Sequence, residues 1–181
     1  MSRANILELM RILIALLTCA FSLSPLSAET DTAEAEVLLV TPLSLINDGN
    51  LNFGRIVSSN APGTVTVSPS NAVSSSGGAT PISGTSNARF YGYGSYNGIV
   101  ALWLSQNQIQ IVRSGGSETM TVRNFTIGST PPTTLSTNPR YFRIGAVSGF
   151  FSFTIGGTLD VSANQEPGSY IGTFNVTIEY Y

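Results

Sequence analysis

Few residues in this chain are able to carry chemistry. Paired carboxylates can divide the acid and nucleophile roles at a glycosidic bond. Past residue 36 the acids are Asp48, Glu118, Asp160, Glu166 and Glu179. Each stands beside a turn signal or on the polar face of a strand-like run, so solvated surface acids are expected. The chain has no His and no Lys, and its one Cys is Cys19. His-based triads, lysine nucleophiles and the common zinc sets are thereby excluded. Asp48, Asn50 and Asn52 set oxygens at alternate positions, as calcium loops do. Such a loop needs Gly at its sixth place and Glu at its twelfth, where Phe53 and Ser59 stand. A hairpin turn is expected instead, with no metal and no cofactor. Tyr91, Tyr93 and Tyr96 lie in a Gly-rich stretch and could stack on sugar rings. The spacing of Tyr91 and Tyr93 also puts them on one strand face, filling core or edge space, and that is the expectation. No catalytic residue and no enzyme is predicted.

The elements that must position these residues are strands. Apolar alternation and turn signals predict strands over 37–46, 51–57, 64–67, 88–93, 99–104, 108–112, 118–127, 140–147, 150–155 and 158–163. Asn47–Asn50 and Pro62-Gly63 read as turns, and residues 68–86 as a long Ser/Gly/Pro surface loop. A second Pro/Thr/Ser loop covers 128–139, and Gly156-Gly157 separates two strands or kinks one. Ile99–Leu104 is nearly continuous in apolar residues, which predicts a buried strand with Trp103 in the core. In 118–127, Met120 and Val122 share one parity while Phe125 and Ile127 hold the other. That switch predicts a β-bulge near Arg123-Asn124. No helical periodicity runs past residue 28, so the fold class is all-β, a sandwich over 37–181.

The N-terminal pattern predicts export. Arg3 and Arg11 precede the apolar run Ile12–Phe21, and Pro25 and small residues lead to Ala28. This reads as a cleavable signal peptide over 1–28, with a second cleavage candidate after Ala35. The run is short for a membrane span, so none is expected once the leader is removed. Cys19 then belongs to the leader. The exported part carries six Arg against nine acidic residues, a net charge of −3. That balance excludes nucleic acid as a partner, because phosphate contacts need clustered basic residues. Residues 29–36 are acidic and read as a flexible extension.

The last residues carry the clearest pattern. Tyr170, Phe174, Val176, Ile178 and Tyr180 share one parity, and Ile171, Thr173, Asn175, Thr177 and Glu179 the other. This is one strand with an apolar and a mostly polar face. With Gly168 fourteenth from the end and Tyr180 next to last, it resembles the terminal strand of chaperone–usher pilus subunits. Phe153–Val161 with Gly168–Tyr180, and Pro42–Leu45 with Leu51–Gly54, resemble more specifically an uncharacterised family of bacterial secreted, pilin-like domains. That family is related to the common-pilus (Mat/Ecp-type) major subunit. Many pilins carry a disulfide, whereas the exported part of this chain has no cysteine.

The resemblance implies an immunoglobulin-like sandwich in a pilus (fimbrial) subunit, located in the periplasm, at the cell surface or outside the cell. It implies strand addition, first from a periplasmic chaperone and then from a like subunit. Gly168, Tyr170, Phe174, Val176, Ile178 and Tyr180 would form the interaction strand. Ala33, Ala35, Val37 and Leu39 would be the inserted side chains of a donor segment. Residues 37–46 read equally well as the domain's own first strand. The alternative function is a self-contained secreted sandwich that binds carbohydrate or protein through its loops.

Overall fold

Twelve strands account for the regular structure of residues 37–128 and 131–181, which the computed structural model describes. The expected leader and extension, with Ala33 and Ala35, lie outside the described residues. In chain order the strands are β1 (Ser44–Gly49), β2 (Asn52–Val67), β3 (Val73–Ser86), β4 (Ala88–Tyr93), β5 (Ile99–Leu104) and β6 (Gln108–Arg113). They continue with β7 (Thr119–Ile127), β8 (Thr133–Thr134), β9 (Arg140–Arg143), β10 (Phe150–Val161), β11 (Tyr170–Ile171) and β12 (Val176–Tyr180). All pairings are antiparallel.

The strands form two sheets packed as a β-sandwich. A nine-stranded sheet runs β1-β4-β10-β7-β6-β11, with β2 joined to β10, β3 to β2 and β8 to β7. A three-stranded sheet runs β12-β5-β9. The core lies between them. Val65, Val67, Phe125, Ile155 and Leu159 enter it from the larger sheet, and Leu102 and Leu104 from the smaller. Leu135 plugs the core from a loop, its N–H donating to the Phe125 carbonyl at 2.8 Å. The expected bulge is present. Gly156 pairs with Thr126 and Thr158 with Arg123, so two residues of β7 oppose Gly157. Asn124 takes φ +52° there. The extra residue restores parity, so that Val122, Phe125 and Ile127 all point into the core.

Several expectations are corrected. The first strand begins at Ser44, and Val37–Thr41 are exposed. β1 runs through the expected Asn47–Asn50 turn and pairs with β4, so no hairpin forms there. Pro62-Gly63 lies inside β2, where the register with β3 shifts between Ser58 and Gly63. The glycines of β3 allow the contact: a Cβ on Gly78 would stand 2.0 Å from the Ala61 carbonyl oxygen. Residues 73–86 are a strand, not a loop. β3 lies on the outer side of β2 and is mostly exposed, so its Ser and Gly residues need no apolar alternation. The turn before it is only Ser68–Ala72, closed by the Ser68 N–H on the Ala72 carbonyl at 2.8 Å. Of the two readings of Gly156-Gly157, the single long strand is the one found, running over residues 150–161. Trp103 is half-buried on the outer face of β5, because Val100, Leu102 and Leu104 hold the inward parity.

Candidate functional site

The terminal run is two strands rather than one. β11 pairs with β6 in the larger sheet, and β12 with β5 in the smaller. Residues 172–175 carry the chain from one layer to the other. Gly172 makes the crossing possible: a Cβ there would lie 2.8 Å from both the Gln110 carbonyl oxygen and Ile111 Cγ2. Gly168 turns into β11 beside Arg113, whose Cδ would lie 2.7 Å from an added Cβ. The Tyr170 hydroxyl donates to the Glu166 carbonyl at 2.6 Å and accepts from Gln165 Nε2 at 2.8 Å. The parity expected for the strand holds through the crossing. Phe174, Val176 and Ile178 all pack against the core. The Phe174 ring lies 5.0 Å from that of Phe125.

Those three side chains are only half-buried, because β12 is an edge. Among the described residues it pairs with β5 alone. The hydrogen bonds fix which backbone groups are free. The Asn175 carbonyl accepts from the Ser105 N–H at 3.2 Å, and the Tyr181 N–H donates to the Ile99 carbonyl at 3.0 Å. Backbone groups alternate sides along a strand. Odd residues therefore face β5, while the N–H and C=O of Val176, Ile178 and Tyr180 face the open side.

A groove of about 1340 Å³ lies at the approach to this edge. One wall is the first part of β2, Phe53–Ser58; the other is Gly168–Phe174. Ile109, Ile111, Met120, Val122, Leu159 and Val161 supply apolar side chains from the larger sheet. Gly168, Tyr170 and Phe174 thus line one groove; Val176 and Tyr180 lie outside its lining, and Ile178 lines a separate cavity with Val100, Leu102 and Phe153. The Tyr180 hydroxyl donates to the Thr41 carbonyl at 2.7 Å and accepts the Ser95 N–H at 2.6 Å. Of the four expected donor side chains only Val37 and Leu39 are described, 81% and 89% exposed. Sequence reading missed the part played by β2, since nothing in Phe53–Ser58 distinguishes a groove wall from an ordinary strand.

The acids are scattered. Glu118 forms a two-point ion pair with Arg113 (2.6 and 3.1 Å) at the β6–β7 turn. That guanidinium, helped by backbone N–H donors, lowers the Glu118 carboxyl to about 2. Asp160 is held by Arg123 at 2.6 and 2.8 Å between β10 and β7. Asp48 lies 3.5 Å from Arg89 at the surface. Glu179 points outward from β12, and Glu166 lies in the turn before β11. Asn52 spends its side-chain oxygen on the Gly54 N–H at 2.8 Å. Among the described residues no three His, Cys, Asp or Glu side chains gather as a metal site. No described helix is long and apolar enough to cross a membrane.

The tyrosines depart from expectation. Tyr91 and Tyr93 share a face of β4, but it is the outer one, since Ala88, Phe90 and Gly92 point inward. Tyr93 meets Phe150 edge-on at 5.5 Å. Tyr93 and Tyr96 are 49% and 51% exposed.

No curated protein and no solved structure matches the chain. A family model does, and it spans the whole sandwich from just before β1 to the last residue of β12. The chain belongs to the family described as Domain of unknown function (DUF4402), which matches residues 43–180.

Proposed function

We propose that this protein is an exported structural subunit of a pilus-like assembly, joined to its partners by β-strand addition along β12. The observation that supports this reading is that, among the described residues, β12 pairs on one side only, and that a groove lined by both apolar and polar side chains lies beside Phe174. Unpaired edges invite another strand, and soluble proteins normally block them with charge, proline or a covering segment. The open side of β12 instead carries half-covered Phe174, Val176 and Ile178. Completing the burial of such a side chain stabilises by up to about 1.5–3 kcal/mol. A donated strand would gain main-chain hydrogen bonds and place alternate side chains against these half-buried ones.

A donor is present in the same chain. Val37, Leu38 and Leu39 are 81–89% exposed and lie outside every sheet. They are not this domain's first strand, which leaves them available to a neighbour, with Ala33 and Ala35 continuing the same parity. A chaperone strand would occupy the edge before assembly. The test is gel filtration and electron microscopy of the exported chain, with and without residues 29–40. Concentration-dependent oligomers that disappear on truncation are expected. A monomer in both cases, unaffected by an added peptide of residues 31–41, would refute the reading.

A second reading, carbohydrate binding, draws on the exposed rings of Tyr93 and Tyr96. Tyr93→Ala and Tyr96→Ala should then abolish retention on a glycan array. Equal signals from wild type and variants would remove it.

A further inference from the structure

Trp103 stands on the outer face of the three-stranded sheet, and the strand register fixes what surrounds it. Across β12, β5 and β9 the outward side chains fall in rows. Glu179, Ala101 and Tyr141 form one row, and Thr177 and Trp103 the next. At the other end Tyr181 and Arg143 flank Ile99, Tyr181 through its N–H on the Ile99 carbonyl at 3.0 Å. Tyr141 and Tyr181 start from strands on opposite sides of β5, yet their rings meet edge-on, 4.7 Å apart at 65°. They reach over β5 toward each other, and Ala101 beneath is only 8% exposed. The rings themselves stay open, Tyr141 at 55% and Tyr181 at 82%. Each of the three aromatics is an apolar plate with a polar tip.

We propose that this face binds a neutral oligosaccharide. Trp103, Tyr141 and Tyr181 stack on its rings, and Thr177, Glu179 and Arg143 hold its hydroxyls at the margin. The inference does not depend on strand addition, whose donor is the N-terminal arm tested as the peptide of residues 31–41. It shares with the Tyr93 and Tyr96 reading only the class of ligand, since Tyr93 belongs to the other sheet. Size and charge select the occupant. Three strands about 4.8 Å apart and two steps of about 7 Å along β5 enclose roughly 130 Å² of sheet. A stable contact between two copies covers about 800 Å² of each, so this face does not suffice for one. Its one carboxylate and one guanidinium offset each other, which favours neither an anionic nor a cationic partner. A sugar ring presents C–H groups on its faces and hydroxyls round its rim. Flat aromatic plates match the first, and short polar side chains the second. The step of about 7 Å from Ala101 to Trp103 sets two stacking surfaces in line, which suits a chain of rings. The strand ladder fixes all three plates beforehand, so little freedom is lost on binding.

Trp103 is the only tryptophan in the chain, so its fluorescence reads this face directly. The purified protein is titrated with cellohexaose, maltohexaose, mannohexaose and chitohexaose, with polygalacturonate as the anionic comparison, and calorimetry gives the affinities. At least one neutral hexasaccharide should shift Trp103 emission saturably, and polygalacturonate should not. Tyr141→Ala and Tyr181→Ala should each weaken binding by about five- to tenfold, and Tyr93→Ala should leave it unchanged. Tyr181 lies outside the core, so its variant carries the test even if Tyr141→Ala melts early. If none of the four saccharides binds, the inference is refuted and strand addition stands. If binding persists in both variants, or is lost in Tyr93→Ala instead, the sugar sits elsewhere and this face is excluded. Equal binding of polygalacturonate would refute the selection by charge. Self-association on gel filtration that Tyr181→Ala abolishes, with no sugar bound, would make the face a protein interface and refute the inference as well.

Discussion

Proline at two adjacent positions of β12 should give opposite outcomes. Val176 has its N–H on the open side, whereas Thr177 has its N–H toward β5, opposite Trp103. Proline lacks that N–H, so its effect depends on which side the group faces. Val176→Pro leaves every β12–β5 hydrogen bond in place and exchanges one half-buried apolar side chain for another, at a cost of about 1 kcal/mol or less. Thr177→Pro removes one ladder bond, leaves the Trp103 carbonyl unpaired and sets a ring against β5. These losses sum to about 3 kcal/mol. Against a net stability of about 5–15 kcal/mol, that should lower the melting temperature by about 6–12 °C. Val176→Pro should melt within about 4 °C of wild type yet fail to bind the arm peptide or to form oligomers. Thermal melts followed by circular dichroism and peptide titration by fluorescence anisotropy read both quantities. Equal destabilisation by the two prolines would show that the sides are misassigned. Normal peptide binding by Val176→Pro would show that the added strand does not use this edge.

Three further outcomes follow from the geometry. Gly172→Ala sets a Cβ 2.8 Å from a backbone oxygen at the sheet crossing, and should cost about 1–3 kcal/mol in urea unfolding. Asn124→Ala forces a residue without a local hydrogen-bonding side chain into φ +52° at the bulge; it should destabilise by about 1 kcal/mol in the same assay, and Asn124→Gly should not. The Glu118 carboxyl is lowered by Arg113 from 4.5 to about 2. A folded-state value below the unfolded one stabilises the fold above the unfolded value, and the contribution fades as pH falls toward the folded one. Melting temperatures of wild type and Glu118→Gln should therefore differ above pH 4.5 and converge as pH approaches 2.

The parts of this fold legible in the sequence are those where local pattern and tertiary role agree. β4, β5 and the β6–β7 hairpin lie where apolar alternation and Gly115-Gly116 place them. The parity switch in β7 marked its bulge, since a strand with one buried face cannot change sides without an extra residue. β3 was hidden for the converse reason. It is held to β2 mainly by backbone bonds, and a mostly exposed strand has little core contact to impose a period. The continuity of β2 through Pro62 was hidden because a bulge lets proline sit in a strand. The terminal run gave its inward face correctly, and Phe174, Val176 and Ile178 all lie on it. Its exchange of sheets at Gly172 was not visible, because alternation records which side a residue faces and not which sheet it faces from. Trp103 misled for a similar reason: an unbroken apolar run does not say which parity is inward.

The direction of the chain at Thr41 bears on whether the partner is the same molecule or another. The arm ends at the Tyr180 end of β12, so a self-inserted arm would run toward Tyr180, parallel to β12. An arm from a second copy carries no such tether and can lie antiparallel. Antiparallel pairing is slightly more stable per residue, and it repeats the relation that β12 already has with β5. Intramolecular insertion has effective concentration on its side, and intermolecular insertion has geometry. On the strand-addition reading, the balance would then be set by the chain direction at Thr41 against protein concentration. A flexible Gly-Ser spacer between Val40 and Thr41 should favour self-insertion by relaxing the exit direction, and should shift material from oligomer to monomer on gel filtration at constant total protein. If the spacer instead leaves the oligomer fraction unchanged, exit direction at Thr41 does not control the choice, and partner selection must lie in the groove side chains themselves.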